Sequence, residues 1–123
     1  MIYATLDSTG SFDFGFPYHE QRMRLVIRQA PSDGLSVLIE LEAGQFICDL
    51  SNGCPIKVKF DNGAPMTFTG REPADYSSNS LFLSPEQRFV AALKKSTHAV
   101  VEATFYQHGQ VQYEFSTSGL VWK

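Results

Sequence analysis

The sequence predicts an all-β fold, a β-sandwich or jelly-roll-like barrel of about nine antiparallel strands with one short helix near residues 85–95, forming a single domain over residues 1–123. Three observations carry this expectation. Apolar residues recur at every second position in short runs, the period of a strand with one buried face. Turn-forming residues separate these runs at close spacing: Pro31-Ser32-Asp33-Gly34, Asn52-Gly53, Asp61-Asn62-Gly63 and His108-Gly109. Helical periodicity occurs in one stretch only, after Ser84-Pro85.

Taken in order, Ile2 to Leu6 and Ser11 to Phe16 read as an N-terminal strand pair, with Phe12, Phe14 and Phe16 turned inward between Ser11, Asp13 and Gly15. Arg22 to Arg28 places Met23, Leu25 and Ile27 on one face, and Leu35 to Glu42 places Val37, Ile39 and Leu41 likewise. One register satisfies both faces. Ile27 opposes Val37, Leu25 opposes Ile39 and Met23 opposes Leu41, while outside Arg24 meets Glu40 and Arg22 meets Glu42; a one-residue slip would bury the charges. Gln45 to Cys48 is a strand-like run leading into the Asn52-Gly53 turn, Ile56, Val58 and Phe60 alternate with Lys57 and Lys59, and Met66 to Thr69 returns after Asp61-Asn62-Gly63. A polar loop, Arg71 to Ser80, precedes a short buried strand at Leu81-Phe82-Leu83.

The helix is expected from Pro85 to Lys95, with Ser84 as N-cap, Gln87 completing a capping box, Phe89, Ala92 and Leu93 as the apolar stripe, and Lys94 and Lys95 at the negative end of the dipole. Ala99 to Gln107 and Gln110 to Thr117 then form a hairpin. A three-residue loop, Gln107-His108-Gly109, pairs Phe105 with Val111 and Ala103 with Tyr113 and requires Gly109 at positive φ. That register sets Glu102 opposite Glu114, an acidic patch for which Lys57 and Lys59 are the internal cations.

The only two cysteines, Cys48 and Cys54, flank Ser51-Asn52-Gly53, a turn that brings their Cβ atoms towards disulfide distance. Closing so short a ring stabilises the fold by about 2 to 2.5 kcal/mol on the chain-entropy model. The alternatives fit less well. Zinc needs closer cysteine pairs and two further ligands from His19, His98 and His108, while redox catalysis needs Cys-x-x-Cys at a helix start. Two reduced, buried cysteines in a cytoplasmic protein stay as the remaining alternative.

With 13 acidic and 10 basic residues the net charge is −3, which argues against phosphate-backbone binding as the main role. A basic stripe of Arg22, Arg24, Arg28, Lys57 and Lys59 beside Phe12, Phe14 and Phe16 would suit single-stranded nucleic acid, but Glu40 and Glu42 neutralise two arginines, so no nucleic acid is expected. No apolar run is long enough for a membrane helix, and the opening Met1-Ile2-Tyr3-Ala4 carries no signal-peptide pattern. No G-x-S-x-G, H-E-x-x-H or phosphate-binding glycine loop occurs, so no catalytic residue, metal or cofactor is expected. The candidate ligand loop is Arg71 with Asp75, Tyr76, Ser77 and Ser78, because long ordered loops often carry function.

Gly53-Cys54 closing a short cysteine loop, a helix ending in Leu93-Lys94-Lys95, a following strand pair and Ser118-Gly119-Leu120 resemble the C-terminal part of the invasion-associated locus B family, secreted or periplasmic bacterial β-sandwich proteins. The wider pattern of Phe16-Pro17-Tyr18, Gly44-Gln45-Phe46-Ile47-Cys48, Lys59-Phe60-Asp61, Pro73-Ala74-Asp75 and Phe105-Tyr106-Gln107-His108-Gly109 is similar to an uncharacterised domain of bacterial envelope proteins. The first half matches nothing of the invasion-associated pattern. The resemblance implies a periplasmic or secreted domain whose leader lies outside this chain, and it carries over no catalytic residue. The expected function is a non-catalytic interaction or structural module of the bacterial cell envelope, acting on a protein partner or on itself through a sheet face or edge. The alternative is a small hydrolase or ligand-binding protein using residues 71–80.

Overall fold

The computed structural model describes residues 2–15, 19–31, 34–42, 45–47, 53–72, 79–105 and 108–118. The architecture is all-β, as the alternation requires. The strands are β1 (Ile2–Asp7), β2 (Phe12–Asp13), β3 (Glu20–Gln21), β4 (Met23–Ala30), β5 (Gly34–Leu41), β6 (Cys54–Phe60), β7 (Met66–Arg71), β8 (Ser80–Ser84), β9 (His98–Phe105) and β10 (Gly109–Ser116), with one helix, α1 (Glu86–Lys94), between β8 and β9. Eight strands form one antiparallel sheet in the order β1-β4-β5-β8-β7-β6-β9-β10, and β2 pairs with β3 apart from it. The sheet curls until its two ends meet at one corner, where the Thr9 N–H donates to the Glu114 carbonyl at 2.8 Å.

The β4–β5 register is the expected one, with Met23, Leu25 and Ile27 opposite Leu41, Ile39 and Val37. All six side chains are buried. Parity propagates the pattern around the sheet: Ile56 and Val58, Phe68, Leu81 and Leu83, Val101 and Phe105, and Tyr113 and Phe115 join one core. The β6–β7 hairpin turns at Asp61-Asn62-Gly63, closed by a Gly63 N–H to Phe60 carbonyl bond of 3.0 Å.

Four expectations are corrected. β1 pairs with β4, not with the Ser11–Phe16 segment, and Ala4 lies opposite Ile27 and Leu6 opposite Leu25. Ser8 fixes this arrangement: its N–H donates to the Met23 carbonyl at 2.8 Å and its Oγ accepts from the Met23 N–H at 3.0 Å. Gln45 to Cys48 is no strand within its described part, which makes only an isolated bridge from Phe46 to Phe105. The capping box does not form, since Ser84 pairs with Thr69 as the last residue of β8 and Pro85 becomes the N-cap without a side-chain bond.

The fourth correction concerns the C-terminal hairpin, which pairs Ala103 with Val111 and Val101 with Tyr113, two residues away from the expected register. The turn is closed by the His108 N–H on the Phe105 carbonyl at 3.1 Å, so Gly109, at φ 68°, becomes the first paired residue. Positive φ at Gly109 is as expected. Because the shift is even, the inward faces of both strands stay inward.

Opposite ends of β9 are closed differently. At its start, where Phe60 pairs with Ala99, α1 inserts Phe89 and Leu93, with the Phe89 ring 5.7 Å from Phe60 and 5.2 Å from Phe68. At its finish, the β2–β3 pair brings Phe14 to 5.1 Å from Phe105 and 5.0 Å from the ring of His108.

Candidate binding surface

The outward side chains of the two halves of the sheet differ in kind. On β6, β9 and β10 they are mostly polar: Lys57 lies opposite Glu102 and Glu102 opposite Gln112, while Lys59 and Glu114 flank Val100. On β1, β4, β5, β8 and β7 the central row runs Thr5, Val26, Leu38, Phe82, Arg71. Val26, Leu38 and Phe82 are half-buried there, on the face where ordinary alternation places polar residues. The rows beside it are Tyr3-Arg28-Ser36 and Asp7-Arg24-Glu40-Ser80. Tyr3 is 59% exposed, the most exposed large apolar side chain among the described residues.

Charge is ordered along this face. Arg24 keeps its register opposite Glu40, but its Nε donates to Asp7 Oδ1 at 3.0 Å, and that bond, with the negative charge of Asp7, raises the guanidinium pKa above its usual value. Both groups are largely exposed, so the pair orients more than it stabilises. Arg22 lies outside β4; it shares with Glu42, Asp7, Glu20, Gln21, Arg24, Glu40 and Leu41 an open polar cleft of about 600 Å³ beside the apolar row. Arg28 has no ion-pair partner among the described residues.

The expected acidic patch dissolves. Glu102 accepts from Gln112 Nε2 at 3.2 Å and lies in register with Lys57, whereas Glu114 Oε2 is 3.7 Å from His98 Nε2. The two-residue change in hairpin register is what separates the two carboxylates. Of the candidate ligand loop, Arg71 is described, ending β7 opposite Phe82; Asp75, Tyr76, Ser77 and Ser78 lie outside the described residues. Cys48 lies outside them too. Cys54 is buried at the start of β6, and its Sγ is 3.2 Å from the Ile47 carbonyl oxygen. Gly53 precedes it at φ 76°, where a Cβ would stand 2.6 Å from the Gly70 carbonyl oxygen.

Two polar anchors escaped the sequence reading. Asp61, itself at φ 51°, accepts on Oδ1 from the Thr97 N–H, the Thr97 hydroxyl and the His98 N–H, each at 3.0 Å. The Thr97 amide leads in holding the carboxyl below the usual carboxylate range. Tyr113 donates its hydroxyl to the Gln21 carbonyl at 2.9 Å, tying β10 to β3, and burial raises its pKa. Only the Asp61-Asn62-Gly63 turn hinted at the first, and nothing local marked the second. No group of metal-ligating side chains and no membrane-spanning helix occurs among the described residues. No family model matches this chain, and neither a curated protein nor a solved structure does so.

Proposed function

We propose that the chain is a non-catalytic interaction module of the bacterial cell envelope, binding through the outer face of β1 and β4 and the free edge of β1. One observation carries this reading: Tyr3 stands exposed on an end strand, beside the row Val26, Leu38, Phe82 and next to Arg28. Aromatic and arginine side chains around an apolar stripe are the composition of protein contact surfaces. A Cys48–Cys54 disulfide belongs to the same reading. The Cys54 sulfur beside the carbonyl of residue 47 supports it, and such a bridge suits an oxidising compartment. Unreduced protein should be two hydrogens lighter than reduced protein by mass spectrometry; two alkylatable thiols in protein taken from freshly lysed cells without reductant would argue for the cytoplasm.

The test of the surface is a photo-reactive phenylalanine analogue placed at Tyr3 and, as control, at Lys59 on the polar half. In intact cells the Tyr3 probe should give a discrete adduct and the Lys59 probe none. Equal labelling at both sites, or none at either, would remove the assignment.

A further inference from the structure

We infer that the occupant of the β1 edge is a second copy of this chain, the two β1 strands pairing antiparallel about a two-fold axis at Thr5. This rests on the binding-surface reading above and names its partner.

The sheet has two end strands, and they are not equivalent. β10 is engaged beyond β9 by Thr9, whose N–H and hydroxyl both donate to the Glu114 carbonyl, at 2.8 and 3.3 Å. Among the described residues no strand pairs with β1 on the side away from β4. Exposed edges are normally blunted by lysine, proline or a bulge. The strand Ile2-Tyr3-Ala4-Thr5-Leu6-Asp7 has none of these and pairs with β4 without interruption.

The faces restrict how two copies meet. Tyr3, Thr5 and Asp7 point outward and Ala4 and Leu6 inward, so a two-fold pair that keeps the core face continuous must set outward residues opposite outward ones. Centring the axis on Ala4 would put alanine against alanine on the core side and Tyr3 opposite Thr5, and would leave Asp7 with no residue of the opposing β1 facing it. Centring it on Thr5 places Ala4 opposite Leu6 of the second copy, small against large. Thr5 then faces its own copy, a favourable cross-strand pair. Tyr3 faces Asp7 of the second copy, so the phenol can donate to that carboxylate. Arg28, the neighbour of Tyr3 on β4, lies next in the same row and supplies the complementary charge. The apolar row Phe82, Leu38, Val26, Thr5 then continues through the axis into the second copy. Edge pairing buries less than a standard interface, so the dimer is of the weak, concentration-dependent kind.

Thr5→Cys tests the register. Under mild oxidation it should cross-link to a covalent dimer, whereas Tyr3→Cys, whose counterpart lies four residues along the opposing strand, should not. Wild-type protein should show concentration-dependent dimerisation by sedimentation equilibrium, lost in Thr5→Pro. A monomer at millimolar wild-type concentration overturns the inference, as does cross-linking of Tyr3→Cys equal to that of Thr5→Cys. A Tyr3 photo-adduct with a different protein, alongside a monomer in solution, would leave the binding surface standing and remove the self-pairing; no adduct and no dimer would remove both.

Discussion

At one end of the curled sheet a nine-residue helix buries Phe89 and Leu93 against Phe60 and Phe68; at the other, two-residue strands lay Phe12 and Phe14 across Phe105 and His108. Both closures use aromatic edges against aromatic faces. They differ in what holds them. The helix carries its own hydrogen bonds and is flanked by Ser96, whose Oγ donates to the Leu93 carbonyl at 2.8 Å and meets the Thr117 hydroxyl at 2.8 Å. The β2–β3 pair has two paired positions and leans on single links such as Tyr113 to Gln21. An element with internal bonds transmits its packing to the whole fold, whereas one that depends on a few tertiary links can open by itself.

The contrast is broken or sharpened by substitution at each end. Phe89→Ala should destabilise globally by about 3 to 5 kcal/mol, the range for a buried aromatic removed from a core. Urea titration reads this directly. Phe14→Ala should cost less, about 1 to 3 kcal/mol, because opening of the β2–β3 pair relieves part of the cavity. Hydrogen exchange should show the loss confined to residues near Gln21 and Phe105. Equal global losses at the two ends would mean that the β2–β3 pair is as cooperative as the helix.

Gly109→Val tests the hairpin beside the aromatic pair. A β-branched residue at φ 68° should cost more than about 1 kcal/mol, seen as a lower urea midpoint at unchanged slope. A neutral result would show that the turn re-forms with another register.

The smallest effect belongs to Asp61, at the helix end. Its folded pKa is depressed, chiefly by the Thr97 amide, so its contribution is present above the unfolded value of about 3.9 and is lost as pH falls through the folded value. Asp61→Asn should therefore lower stability near neutrality and flatten the acid limb of the stability profile, measured by urea midpoints stepped downward from about pH 6. An acid limb as steep as that of the wild type would assign the dependence to other carboxylates.

The β4–β5 hairpin was legible because two constraints agree: the apolar residues choose the face, and Arg24 with Glu40 makes a slip costly. The C-terminal hairpin was legible in parity only. Val111, Tyr113 and Phe115 had to face the core, but both even registers satisfy that, and closure at Phe105 by His108 chose between them. That choice removed the expected Glu102–Glu114 patch. The binding surface was less legible still. Val26 and Leu38 pair within the β4–β5 hairpin, but Phe82 comes from β8, distant in the chain, and no local period marks the three as one row.

Residue pattern alone determined the all-β class, the inward faces and the presence of one helix, since these depend on side-chain period. Tertiary structure decided what shares a surface. Ala4 and Leu6 fit any apolar strand as neighbour, and only the Ser8–Met23 bonds and the curl of the sheet set β1 beside β4, leaving Tyr3 exposed at an edge. Side-chain period is a local property of the chain, whereas strand order depends on which distant segments bury each other's faces, and many orders satisfy the same alternation.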